Sequence, residues 1–81
     1  MARPSPRHCG NATLMALGEA IREARVGMGL SQETMALNAD LDRSYVGGVE
    51  RGENNITVMN LCKLAKALSL TTAALLKAAN L

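Results

Sequence analysis

The chain has 81 residues, 48% of them hydrophobic, with one tyrosine and no phenylalanine or tryptophan; this limits it to one small domain whose modest core of Leu, Ala, Met, Val and Ile favours helices over sheets. No apolar run approaches the ~20 residues that cross a bilayer, and Cys9 and Cys62 have neither CxxC spacing nor a secretory signal, so a membrane span is excluded and reduced thiols in a cytoplasmic protein are expected. The net charge of +2 comes from Arg3 and Arg7: from Ala12 onward seven bases (Arg22, Arg25, Arg43, Arg51, Lys63, Lys66, Lys77) balance seven acids (Glu19, Glu23, Glu33, Asp40, Asp42, Glu50, Glu53), so any nucleic-acid function must rest on specific geometry rather than bulk charge.

Residues 1–11, MARPSPRHCGN, have no periodicity and read as a flexible tail that includes His8 and Cys9, leaving a folded domain over 12–81. Apolar residues then recur at Leu14, Leu17, Ile21, Ala24 and Met28, steps of three and four that predict a first helix ending at GMGL. Ser31 suits the cap of a second, short helix that turns Met35 and Ala36 inward and stops at NADLD. Asp42 is placed to cap a third, running to about Arg51 with Val46 and Val49 on its buried side. After the turn GENN, Thr57 caps a fourth helix in which Val58, Leu61, Leu64, Ala65 and Leu68 keep the same step, and Cys62 is expected as a buried packing thiol on its inner side. Thr71 caps a fifth helix holding Leu75 and Leu76. The fold class is all-α, a compact bundle of five short helices.

Two short helices that meet at a steep angle need a small residue at their contact, a residue that bends at the turn, and apolar anchors on both sides. Counted from Gln32 as the first position, Met35 is fourth, Ala36 fifth, Asp40 ninth, Leu41 tenth, Val46 fifteenth and Val49 eighteenth, which is helix-turn-helix spacing. In SQETMALNADLDRSYVGGVERG the chain resembles the lambda-repressor-like (Xre/Cro-type) family of DNA-binding regulators, with glutamine opening the second helix, alanine fifth, and E-x-G closing the third. It departs from that pattern at the ninth position, where Asp40 replaces glycine; aspartate tolerates a left-handed backbone better than most side chains. The likeness runs from about Leu17 to Leu76. Within the family, LDRSYVGGVERGENNIT is similar to the controller proteins of restriction-modification systems, small dimeric regulators that time the expression of a restriction enzyme.

The resemblance implies a sequence-specific transcriptional regulator that lays its third helix in the major groove of double-stranded DNA. Arg43 and Ser44 stand at the end of that helix which enters the groove, where an arginine can grip O6 and N7 of a guanine with two donors. Tyr45 either meets the DNA or covers the edge of the core. Gln32 aligns with the family's glutamine that bonds a phosphate or a neighbouring base, and Arg51, Asn54, Asn55 and Thr57 surround the turn where family members meet phosphates. Controller proteins often carry arginine at the position of Asn54. Arg25 and Glu50 match the family's structural ion pair. Gly47 and Gly48 each cost about 1 kcal/mol relative to alanine inside a helix; following Val46 toward the outer face, they read either as points of close approach to DNA or as drift in a tolerant helix.

One histidine in the tail and no acid–base cluster at a site-like spacing argue against an enzyme, and no cofactor, metal or small-molecule effector is implied. Leu70, Ala73, Leu76, Ala79 and Leu81 give the last helix more apolar surface than a small core covers, which points to a two-fold interface and a homodimer on an inverted-repeat operator. Two alternatives stay open: a phage-type repressor, and a helix-turn-helix protein-interaction module such as an antitoxin or a coactivator. The neutral folded charge favours the latter a little.

Overall fold

The computed structural model describes residues 11–81; the expected tail, apart from Asn11, lies outside the described residues, together with His8 and Cys9. Those described form five helices and no strand: α1 (Ala12–Gly27), α2 (Gln32–Ala39), α3 (Arg43–Glu50), α4 (Val58–Ala67) and α5 (Thr72–Ala78). None of these helices is long and apolar enough to cross a membrane.

Four of the five helices begin on a side chain that closes the first turn. Asn11, Ser31, Thr57 and Thr71 accept from the backbone amides of Leu14, Thr34, Asn60 and Ala74 at 3.0–3.1 Å. Asn11 therefore belongs to the domain and not to the tail. At α3 the sequence expectation fails in part: Asp42 occupies the cap position, but its carboxylate accepts the Ser44 hydroxyl at 2.6 Å and no backbone amide.

All five helices end in one way. A residue in the left-handed region follows each (Gly29, Asp40, Gly52, Ser69 and Asn80, φ between 57° and 73°). The amide of the next residue then reaches five positions back: Leu30 to Arg25, Leu41 to Ala36, Glu53 to Gly48, Leu70 to Ala65 and Leu81 to Leu76. This double clasp satisfies carbonyls that a helix end leaves free. Four of the five following residues are leucines, and Leu41 and Leu70 fold back onto the core. Asp40 thus adopts at the ninth position the left-handed backbone that Gly29 and Gly52 adopt after α1 and α3.

Ile21, Met35, Val46, Leu64 and Leu75, one from each helix, are fully buried at the centre of the bundle. Around them lie Leu17, Ala20, Ala36, Ala39, Val49, Leu61, Ala65, Leu68 and Ala79. Three expectations about burial are corrected. Met28 is exposed, because α1 stops at Gly27 and the chain turns away from the first-helix stripe. Val58 is 73% exposed and Cys62 is also exposed, since the inward stripe of α4 runs through Leu61, Leu64, Ala65 and Leu68; position 58 lies in the first turn, before that stripe begins, and position 62 sits about 100° round from Leu61.

A close backbone approach joins α1 to α3. A Cβ at Gly18 would collide with the Val49 carbonyl oxygen and lie 2.6 Å from that of Glu50, so only glycine lets α1 lie on the end of α3. Of the five left-handed positions, Ser69 is the one filled by neither glycine nor an Asx residue. Ser69→Gly should relieve an αL cost of roughly 1–2 kcal/mol against an unfolded-state penalty of about 0.5–1 kcal/mol. Thermal unfolding should therefore rise by a few degrees, and an unchanged or lower midpoint would mean that serine fits there without strain.

Candidate nucleic-acid interface

The end of α3 is tied to the rest of the bundle by a charge pair. Arg25 of α1 donates from Nε to Glu50 Oε2 at 2.7 Å and from Nη2 to Oε1 at 3.1 Å, a two-pronged contact, while its Nη1 donates to the Leu30 carbonyl at 2.8 Å. The Glu50 side chain is only 2% exposed and that of Arg25 13%. Glu50 has a third donor, Gln32 Nε2 at 2.9 Å, so α1, α2 and α3 all meet at one carboxylate.

From there the network continues outward. Gln32 Oε1 accepts from Arg43 Nη1 at 3.3 Å. Arg51 folds back along α3 so that its Nη1 lies 3.2 Å from where a Cβ of Gly47 would stand, with Gln32 Oε1 3.5 Å from the same point. Gln32, Arg43 and Arg51 thus form one cluster at the open end of the α2–α3 unit, with Gly47 underneath. Arg43 is exposed, and Arg51, 60% exposed at its side chain, also pairs with Glu53 at 3.0 Å.

The two glycines do not lie toward the outer face as the sequence reading had them. Both are buried. Gly47 is covered by the side chains of Gln32 and Arg51, and Gly48 by that of Asn54: a Cβ there would overlap Asn54 Nδ2 and lie 3.1 Å from its Cγ. The reason is the left-handed Gly52 and the Glu53–Gly48 clasp, which fold the segment after α3 back over its last turn. What Gly48 admits is Asn54.

Ser44 is exposed, and its hydroxyl donates a hydrogen bond to Asp42 Oδ2. Tyr45 is half-buried against the core, and its hydroxyl accepts from Asn60 Nδ2 of α4 at 3.1 Å, leaving its own hydrogen for another acceptor. Asn60 escaped the sequence reading, since it stands fifteen residues away and only the packing of α3 against the start of α4 brings it near. Thr57 caps α4, Asn54 is half-buried on Gly48, and Asn55 is exposed.

The expected two-fold surface divides. Ala79 is buried in the chain's own core, where α5 closes on α1, and is therefore unavailable to a partner. Leu70 and Leu76 are half-buried, whereas Ala73 and Leu81 are exposed. Val58 and Met59, at 73% and 69%, are more exposed than Leu81 at 54%. They share a face of α4 with Cys62, which accepts from the Thr72 hydroxyl of α5 at 3.4 Å.

Two predictions test these contacts. Arg25→Met leaves the Glu50 carboxylate buried with Gln32 alone and should cost ~3–5 kcal/mol; Glu50→Ala, which leaves a guanidinium still held by Leu30 and partly in water, should cost less, and the order of the two melting points decides. Gly48→Ala should bring no gain in stability while Asn54 is present, but in an Asn54→Ala background it should stabilise by up to about 1 kcal/mol; equal shifts in both backgrounds would show that Asn54 does not rest on the glycine.

Comparison with known proteins adds three findings. A helix-turn-helix family model matches residues 21–75. The control protein C.BamHI of Bacillus amyloliquefaciens is 36% identical over 59 residues, covering 72% of this chain and 73% of that protein, and the control protein C.SmaI of Serratia marcescens is 45% identical over 60 residues, covering 74% and 71%. Among solved structures, the restriction-modification controller protein C.AhdI from Aeromonas hydrophila superimposes with a TM-score of 0.75 at 52% identity, over 76% of this chain and 94% of that one.

Proposed function

We propose that this chain, which belongs to the helix-turn-helix family and is built like its restriction-modification controllers, is a transcriptional regulator that reads an inverted-repeat DNA operator as a homodimer. The observation that carries this reading is the cluster of Gln32, Arg43 and Arg51, which gathers two cations and an amide beside α3 over Gly47. Arg43, at the first turn of α3, reads a guanine in the major groove, with Ser44 and Tyr45 beside it. Arg51, Asn54, Asn55 and Thr57, with Gln32, hold phosphates, and the free hydrogen of Tyr45 suits a phosphate oxygen equally well. Gly47 and Gly48 serve by seating Arg51 and Asn54 rather than by meeting DNA themselves.

A folded domain with balanced charge gains little from long-range attraction, so its affinity has to come from these few contacts, doubled by two-fold symmetry. The second copy packs on the strip of Val58, Met59 and Cys62, with Ala73, Leu76 and Leu81 from the expected set. The chain acts in the cytoplasm, through its own concentration and dimerisation.

Selection from a random duplex pool should return an inverted repeat whose half-site centres lie about one helical turn apart, roughly 34 Å. On that operator Arg43→Ala should erase the preference at one symmetric base-pair position, worth ~1–3 kcal/mol. Arg51→Ala should weaken all sequences alike and flatten the salt dependence. Recovery of no sequence, or of a single asymmetric site, would refute the dimeric operator reading.

A further inference from the structure

Ser44 is the residue of α3 that stands most directly away from the core. At about 100° per residue it lies roughly 170° round the helix from the midline of the buried Val46 and Val49, whereas Arg43 and Tyr45 lie about 90° and 70° from that midline. One turn farther on, the same line passes Gly48, which Asn54 covers. The outward face of α3 is therefore open in its first turn, with Ser44 at the middle.

A serine hydroxyl has one hydrogen to give and two lone pairs to accept with, so on its own it suits either kind of group on a base edge. Asp42 removes that freedom. Ser44 Oγ donates to Asp42 Oδ2 at 2.6 Å, and a bond to a charged acceptor is about twice as strong as one between neutral groups. Turning the hydrogen toward a base carbonyl or ring nitrogen would exchange the stronger bond for the weaker and leave a carboxylate oxygen facing the same acceptor. Asp42 has no backbone amide of α3 to hold instead.

We infer that Asp42 sets Ser44 as an acceptor, so that the middle of α3 reads an exocyclic amino group, N6 of adenine or N4 of cytosine, the donors that bases show in the major groove. Guanine and thymine offer acceptors on that edge and would meet both the serine lone pairs and the carboxylate. Each base pair has one such amino group in this groove, so the device selects which strand carries it. Tyr45 is set in the opposite sense, because Asn60 Nδ2 donates to its oxygen at 3.1 Å and its hydrogen remains to be given. Arg43 can only donate. Asp42 is thus a positioning residue that acts on specificity through Ser44.

This inference rests on the reading of α3 as the base-reading helix. The test uses the selected operator with single amino groups deleted, purine in place of adenine or pyrimidin-2-one in place of cytosine, at each half-site position in turn. At one position, distinct from the one read by Arg43, the deletion should weaken the parent about two- to tenfold per half-site, the equivalent of one hydrogen bond. Ser44→Ala should bind the intact and the deleted duplex alike. Asp42→Ala should bind every operator somewhat more tightly, since a negative charge beside the phosphates is gone, and yet should tolerate guanine or thymine at that position better than the parent does. In the Ser44→Ala background the change at Asp42 should no longer alter the preference there. A role in helix stability alone would instead weaken all sequences evenly.

Three outcomes overturn the proposal in distinguishable ways. If no amino-group deletion depends on Ser44 while Arg43→Ala still erases a base preference, the acceptor role fails and base reading by α3 stands. If the amino group matters and Asp42→Ala leaves its discrimination intact, Ser44 reads the base without Asp42. If neither Arg43→Ala nor Ser44→Ala changes the preference at any position, base reading by α3 fails and this inference with it.

Discussion

The way α1, α2 and α3 meet depends on one buried carboxylate. Glu50 closes α3, and three donors from Arg25 and Gln32 converge on it. A charge this deep is tolerable only when fully paired, because desolvation of an unpaired carboxylate costs several kcal/mol. Pairing fixes the end of α3 relative to α1 and the start of α2 together. The angle of the helix-turn-helix is thus held by a directional contact at one end and by Met35, Ala36, Val46 and Val49 at the other.

Gly18 is the steric half of the same constraint. Its missing side chain lets α1 reach the carbonyls of Val49 and Glu50, and two turns farther on the long side chain of Arg25 reaches the carboxylate. Contact and charge act on the same few residues of α3. The inner network holds Glu50 by three bonds, while outside it Arg43 and Arg51 are each held by a single contact, to Gln32 and Glu53 respectively.

The uniform ending of the helices explains how so short a chain forms five of them. With helices of seven to sixteen residues, unsatisfied carbonyls at the ends make up a large share of all backbone groups. The repeated left-handed clasp satisfies them within three residues and sends the chain sharply back. Where leucine follows the clasp it can add to the core; after α3 the following residue is Glu53, and the chain there serves the surface by laying Asn54 over Gly48.

The residue pattern by itself determined the number of helices, their caps at Ser31, Thr57 and Thr71, the helix-turn-helix spacing from Gln32 to Val49, and the kinship that implied a pairing of Arg25 with Glu50. These are local or periodic signals: a hydroxyl one position before a helix, apolar steps of three and four, a small residue at a fixed offset. Only the tertiary structure decided which side of Gly47 and Gly48 is covered, that Cys62 and Val58 face outward, that Ala79 belongs to the chain's own core, and that Gln32 links Glu50 to Arg43. Each depends on how far a helix is rotated about its axis, or on where a loop returns, and the difference of one residue turns a side chain by about 100°. Periodicity cannot resolve that angle on an eight-residue helix, whereas packing against three neighbours can.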